Sequence, residues 1–446
     1  MIDNNECQRT VCTAGKRGSQ TPPSQWFDLI WSGVWVMMAA GLLAAIACAS
    51  VSQAEDWPRW RGPLGNGVAV NQSPPLQWSD SESVVWRTPI PGRGHSSPIV
   101  IGSKILLTTA DEATQIQSVL CLDRQSGTLL WQTQVNHGGF NPQIHKNNTH
   151  ASPTVATDGE RVFAVFNHHD AIHVVAVDLE GALLWNRRAG EFGPARYHFG
   201  FGASPIAVGS TVVVTGDTEK DPFMAAFDAS SGREVWRVRR PSCTSYSTPV
   251  IATVAGREQL LLGGGESVRS YTPQGGREVW RAPASWDVSC GTVVWDDQHV
   301  FISGGFPTSQ TLAVRADGSG QVVWQNSVKC YEQSLIAIDG FVYGHADSGV
   351  VYCWRAADGQ EMWKGRLEGP VSASPVFANG HLYFTSERGN TFVVKADPTS
   401  FQLIAKNKLG DSAFASPAIV DHQLIFRVAI FEKDQRQEYV YCIGKP

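Results

Sequence analysis

The chain reads as an all-β, eight-bladed β-propeller of four-stranded antiparallel blades, closed by an N-terminal strand, and three observations predict it. Tryptophans recur at Trp86, Trp131, Trp185, Trp236, Trp280, Trp324 and Trp363, spaced 39 to 54 residues apart. A small-residue strand start follows most of them, as in Ser96-Ser97-Pro98, Ala151-Ser152-Pro153, Ala203-Ser204-Pro205, Ser247-Thr248-Pro249, Ala373-Ser374-Pro375 and Ala415-Ser416-Pro417. Between the markers, apolar residues alternate with the two-residue period of half-buried strands. A period of that length is the sequence form of a repeat architecture, and four short strands per repeat make one propeller blade.

The N-terminus stands apart from the repeats. Arg9, Lys16 and Arg17 precede an uncharged stretch from Leu29 to Ala54, and Ser52-Gln53-Ala54 places small residues before Glu55. This is the layout of a signal peptide with a long basic region. The same uncharged stretch is long enough to span a bilayer as an uncleaved anchor through residues 29–51. Residues 1–54 are therefore read as signal peptide or membrane anchor, 55–83 as a lead-in and 84–446 as the propeller. Both readings export the bulk of the chain to the periplasm or cell envelope.

Within the repeats, a turn signal precedes most tryptophans: Asp123 and Gly127 before Trp131, Asp178 and Gly181 before Trp185, Asp228 and Gly232 before Trp236. The eighth tryptophan position falls at Ala405, preceded by Asp397. Cys290-Gly291-Thr292 and Gln333-Ser334-Leu335 fill the two weaker strand-start slots. Asn379-Gly380 between two apolar runs suits a type I′ hairpin, which needs positive φ at both central residues. Asp158-Gly159 and Asp339-Gly340 read as the same device. The repeat tryptophans are structural on this reading, each indole wedged against the neighbouring blade.

The ends predict the closure. The last unit runs out after its third strand, Tyr439 to Ile443, while Val84-Val85-Trp86-Arg87 carries a repeat tryptophan with no strands before it. Joining the two completes blade 8 and removes two exposed sheet edges.

These repeats resemble those of pyrroloquinoline-quinone (PQQ)-dependent alcohol dehydrogenases, and equally those of the BamB-type outer-membrane assembly scaffold. The opening Asp56-Trp57-Pro58-Arg59-Trp60-Arg61-Gly62-Pro63 is similar to the start of exported PQQ-like domain proteins of the planctomycete type, as are Asn148-Thr149-His150-Ala151-Ser152-Pro153 and Gly380 to Glu387. The resemblance spans about residues 56–443 and implies the fold. A likeness of fold does not carry an activity with it. The dehydrogenases hold Ca²⁺ and a catalytic base with Glu, Asn and Asp, place a Trp under the quinone, and often carry a vicinal disulfide. In this chain no two cysteines are adjacent and no haem CxxCH motif occurs.

Candidate binding residues gather on the face carrying the loops that connect successive blades. Two of these loops, 136–149 and 187–202, are long, and long loops on a rigid scaffold are where function concentrates. The residue three before each proline-equivalent position is expected at the channel mouth: His95, His150, Gly202, Tyr246, Ser289, Glu332, Ser372 and Phe414. The ligand-binding candidates are His95, Asn148, His150, Arg196, Tyr197, His198, Tyr246, Trp286, Asp287 and Glu332. Asn148, Trp286, Asp287 and Glu332 also have the side chains a quinone and Ca²⁺ would require. His168, His169 and Asp170 are metal candidates by residue type, without an HExxH or His-x-His pattern behind them. The six cysteines beyond the N-terminal segment are scattered and read as small buried strand residues rather than a disulfide framework. With a net charge of −5, the chain has no basic footing for nucleic acid. The sequence therefore leads to a non-enzymatic binding scaffold for a protein or envelope polymer, with no cofactor expected. The alternatives are a PQQ- and Ca²⁺-dependent dehydrogenase and a metal or small-ligand binder on the His-rich face.

Overall fold

The computed structural model describes residues 56–433 and 435–445; the expected leader or anchor, and with it residues 29–51, lies outside them. Eight separate antiparallel sheets follow one another along the described chain. Blade 1 spans residues 99–137, blade 2 156–191, blade 3 206–239, blade 4 250–283, blade 5 294–326, blade 6 336–366 and blade 7 376–408. Blade 8 takes three strands from residues 418–443 and its outermost strand from Val84–Ile90. That strand pairs antiparallel with Gln435–Ile443, with Trp86 opposite Cys442 and Thr88 opposite Val440. The closure read from the two ends is the one observed.

The blade tryptophans fasten neighbouring blades, and the repeated turn explains how. Glycines 127, 181, 232, 276 and 359, one in each of five blade turns, have positive φ. A Cβ on any of them would collide with the indole of the preceding blade, respectively Trp86, Trp131, Trp185, Trp236 and Trp324. The Asp-x3-Gly-x3-Trp signal thus combines a residue that receives an indole with one that supplies the next. Five indoles also donate to a carbonyl of the following blade: Trp86 to Arg124, Trp131 to Leu179, Trp185 to Ala229, Trp324 to Ala356 and Trp363 to Asp397, at 2.7 to 3.1 Å. Trp280 departs from the pattern and bonds Gln259 Oε1 within its own blade.

Blade 7, where the sequence has Ala405, recovers its indole from the lead-in. Trp78 packs against Tyr383 and Phe426, with ring centroids 6.3 and 5.7 Å away. Tyr383 occupies in blade 7 the position that Phe163, Phe301 and Tyr343 hold beside Trp185, Trp324 and Trp363. Asn407 fixes the segment by accepting from Trp78 N–H and donating to the Leu76 carbonyl.

Two hairpin expectations hold and one is corrected. Asn379-Gly380 and Asp339-Gly340 have positive φ at both residues. Asp158-Gly159 does so only at Gly159; Asp158 Oδ1 instead accepts the N–H groups of Glu160 and Arg161, an Asx turn. The six described cysteines are free, all buried except the half-buried Cys290. No helix among the described residues is long and apolar enough to cross a membrane.

Candidate functional site: a blind well in the channel

The innermost strands would leave an open channel, but the lead-in crosses one end of it. Trp57 pairs with Val100 of blade 1, and the Pro58 carbonyl accepts from Thr157 of blade 2. Val68–Ala69 then adds a parallel fifth strand to the inner edge of blade 7. Between these anchors, the buried Arg61 guanidinium donates to the carbonyls of Asn66 and Leu335, both at 2.6 Å. It has no carboxylate partner among the described residues, and burial lowers its pKa to about 9. Gly67, at φ +82°, lies so close to this guanidinium that a Cβ would strike it.

Above the plug, a ring of hydroxyls ties the blade starts together. The N–H of Ser97 donates to Thr154, Thr154 to Ser204, Ser204 to Thr248, Thr292 to Ser334, Ser334 to Ser374, Ser374 to Ser416 and Ser416 back to Ser97, each at 2.8 to 3.0 Å. The Thr248–Thr292 step lacks this bond, and Thr292 Oγ1 instead accepts from Trp60 Nε1 at 2.9 Å.

This ring defines the true phase of the repeat and corrects two mouth positions. Thr154, not Ser152, is the blade 2 counterpart of Ser97, so the mouth residue is Ser152 rather than His150. In blade 5 the same reasoning replaces Ser289 by Cys290. The early Ser152-Pro153 pair imitates the marker two residues ahead of the strand. The corrected ring is His95, Ser152, Gly202, Tyr246, Cys290, Glu332, Ser372 and Phe414, and all eight line one cavity of about 250 Å³. Trp60 lies at its base, Thr154, Ser204, Thr248 and Thr292 form an arc of wall, and His145, Asn147, Asn148, Phe199 and Tyr331 complete it.

The other candidates divide by position. Asn148 lines the well and is held there, its amide donating to the Phe199 carbonyl at 2.5 Å while its Oδ1 accepts from Thr149 N–H and Ser152 Oγ. His150 turns away and stacks on Phe140 at 4.1 Å. Arg196 pairs with Asp287 at 3.2 Å, and Tyr197 stacks on Phe199 at 5.7 Å behind the wall. His198 is exposed outside the well. Trp286 is fully buried, its indole filling the space a side chain at Gly304 would need. Neither Trp286 nor Asp287 reaches the cavity.

His95 stacks on Phe414, centroids 4.3 Å apart and planes 6° from parallel. Burial, with Arg93, Arg427 and Arg436 nearby, holds its pKa well below 6.5, and its Nε2 is buried without a partner. Glu332 is exposed within the well while protein surrounds it; that partial desolvation, with Glu387 and Asp347 nearby, raises its pKa. His168 Nε2 contacts the His137 carbonyl at 3.2 Å. Among the described residues, no three His, Cys, Asp or Glu side chains, His168, His169 and Asp170 included, are grouped to hold a metal ion. Beside the mouth, Arg93, Lys146, Arg388 and Arg436 flank a groove that shares Asn147 and Phe414 with the well. Glu112, Glu368 and Glu438 pair with three of these cations.

Comparison with known proteins agrees with this architecture. Overlapping matches across residues 65–196, 116–365 and 309–413 fit the family model described as outer membrane protein assembly factor BamB. The chain belongs to that BamB family. A relative, outer membrane protein assembly factor BamB of Burkholderia pseudomallei (strain K96243), is 24% identical over 408 residues, covering 87% of this chain and 94% of the relative. Among solved structures, BamB from Moraxella catarrhalis aligns with TM-score 0.58 and 16% identity, over 80% of this chain and 96% of that one. A europium-containing methanol dehydrogenase aligns with TM-score 0.64 and 12% identity, over 87% and 98%. At such identities the structures share the fold, and BamB-family membership leaves the chemistry of the well to its own residues.

The charge of those residues does not match the quinone's. PQQ is a flat tricyclic tricarboxylate, whose charges call for cationic or metal partners. Among the described residues, no Lys or Arg lines the well, and Glu332 is its single carboxylate. Of the four residues with side chains suited to a quinone and Ca²⁺, Asn148 and Glu332 line the well, whereas Trp286 and Asp287 lie outside it.

Proposed function

We propose that this chain is an exported, non-enzymatic binding propeller of the cell envelope that holds its ligand or partner on the loop-rich face. One observation carries the reading: the channel is closed at one end by the chain's own lead-in, through Trp60 and Thr292. What remains is a receptacle opening on the face where the long loops lie. Its wall is mostly hydroxyl, amide and aromatic, with His95, His145, Cys290 and Glu332 among its residues, and among the described residues no group of His, Cys, Asp and Glu side chains is placed to hold a metal ion. A preformed concave site with a few placed polar groups is the usual form of a binding pocket. The name shared by the BamB relatives, an outer membrane protein assembly factor, supports an envelope location and a protein among its partners. The uncharged stretch ending at Ala54 supports export.

The dehydrogenase alternative is separated by adding PQQ and Ca²⁺ to the purified chain and recording quinone absorbance and dye-linked alcohol oxidation. We expect neither a bound-quinone spectrum nor turnover. Stoichiometric, tight PQQ binding would overturn the scaffold reading.

A further inference from the structure

Four hydroxyls in the well wall have each used an acceptor lone pair and kept their protons. Thr154 Oγ1 accepts the Ser97 N–H, Ser204 Oγ the Thr154 N–H and Thr248 Oγ1 the Ser204 N–H. Thr292 Oγ1 accepts the Trp60 indole N–H. A hydroxyl both donates and accepts, and none of these four donates to a protein acceptor among the described residues. An arc of four O–H donors from blades 2 to 5 therefore faces the cavity.

The rest of the wall narrows the ligand. Trp60, Phe199, Tyr246, Tyr331 and Phe414 contribute aromatic surface. An apolar guest would leave the hydroxyls unpaired in a desolvated site, at about 1–3 kcal/mol for each such group. An anion would meet Glu332 and no cation; a cation would find one carboxylate only. The cavity, about 250 Å³, falls just below the range of about 300–1,000 Å³ usual for drug-sized ligands, so it takes one ring rather than a stretch of polymer. The matching guest is uncharged, rich in oxygen acceptors, and has C–H faces for the aromatic rings.

We propose that the well binds a single neutral pyranose ring, its oxygens accepting from Thr154, Ser204, Thr248 and Thr292 and its C–H face lying on the aromatic wall. This rests on the reading of the well as a binding receptacle and specifies the chemistry it takes.

The test is calorimetric titration of the purified chain with glucose, galactose, N-acetylglucosamine and N-acetylgalactosamine, each as the free sugar. At least one is expected to bind one-to-one with a Kd between about 10 μM and 1 mM. Gly202 offers a blocking variant that should fold. Its φ is not left-handed, and the nearest atom to an added Cβ is the Tyr246 Cβ at 3.7 Å. Gly202→Leu should fill the well and weaken binding at least about tenfold, a change of about 1.4 kcal/mol. Thr248→Val, which removes one donor together with the acceptor of the Ser204 N–H, should weaken it to a similar degree. No heat with any of the four sugars at about 20 mM, well above that affinity range, would overturn the proposal. So would binding that survives Gly202→Leu unchanged. Such failure, with PQQ also unbound, leaves the scaffold reading standing; PQQ binding would remove both.

Discussion

Trp60 donates its indole N–H to Thr292 Oγ1 across the base of the channel, at the step where the inter-blade hydroxyl ring lacks its own hydrogen bond. The lead-in therefore substitutes for a link of the repeat as well as covering the channel. Trp60→Phe keeps the aromatic floor and loses one hydrogen bond, and should cost about 1 kcal/mol. Trp60→Ala also opens a void beneath the hydroxyl ring. Trp60 is half-buried, so its loss should stay below the fully buried case, at about 2–3 kcal/mol. Urea unfolding of both variants checks this order; an alanine variant as stable as the parent would show that Trp60 does not seal the base.

Trp78 supplies the indole that the repeat lacks at Ala405. It is 4% exposed and wedged between blades 7 and 8, so Trp78→Ala should cost about 3–5 kcal/mol. A mutation at an ordinary surface position of the lead-in should change stability by less than about 0.5 kcal/mol. Comparing Trp78→Ala with Glu82→Ala, whose side chain is exposed, by thermal unfolding separates a fastening role from a passive one.

The closing strand makes a stronger claim. Val84–Ile90 is the outermost strand of blade 8 and presents Trp86 to Gly127 of blade 1. Deleting residues 84–90 exposes the strand Gln435–Ile443 as an unpaired edge and separates blade 8 from blade 1. The expected result is aggregation or loss of a cooperative melt, seen by scanning calorimetry and light scattering. A deletion variant that melts cooperatively near the parent temperature would contradict velcro-like closure.

The fold was legible because each marker of the repeat has a separate physical cause: a glycine that must yield space to an indole, a hydroxyl that must accept from the next blade. Phase was harder to read. Ser152-Pro153 carries the composition of a strand start without its hydrogen bonds, and this misplaced His150 at the mouth. Ser289 for Cys290 is the same error by one residue. Trp60 lay in a segment without periodicity, and nothing local indicates that Trp57 and Val68 would pin it across the channel. Trp286 and Asp287 looked suited to a quinone by residue type alone. Long-range packing sends one beneath Gly304 and the other to Arg196. Ser204, Thr248 and Thr292 were visible as strand markers and Thr154 was passed over for Ser152, but the unspent protons of all four emerge only once the ring closes.

One buried ion pair lies outside the lining of the well. Arg240 is fully buried against Asp217 at 2.8 Å and also donates to Tyr271 at 2.6 Å. Burial opposes the charge, but the Asp217 and Tyr271 oxygens and the Asp217 hydrogen bond together outweigh it and raise the Arg240 pKa. Removing one partner strands the other charge, so Asp217→Ala should cost about 3–5 kcal/mol. The double variant Asp217→Leu/Arg240→Met replaces both charges with apolar groups and should recover much of that loss. Urea midpoints of the single and double variants decide whether the pair acts as a unit.

Acid should destabilise the protein through histidines that folding keeps neutral, and His345 gives the cleanest case. It is 1% exposed, meets Phe384 edge-on and has its Nε2 buried without a partner. Burial lowers its pKa from 6.5 to about 4. Between these values the unfolded chain binds a proton that the folded chain refuses, so stability rises with pH. The contribution is fully present above pH 6.5 and lost as pH falls through about 4, on the order of 3 kcal/mol when complete. His95, His150, His168 and His173 are lowered in the same direction, also chiefly by burial, so the parent should lose stability steadily below pH 6.5. His345→Gln cannot titrate and should flatten part of that slope while leaving the pH dependence above 7 unchanged. Melting temperatures of parent and variant from pH 4 to 8 provide the check. Parallel curves over the whole range would mean that His345 already carries its proton in the folded protein.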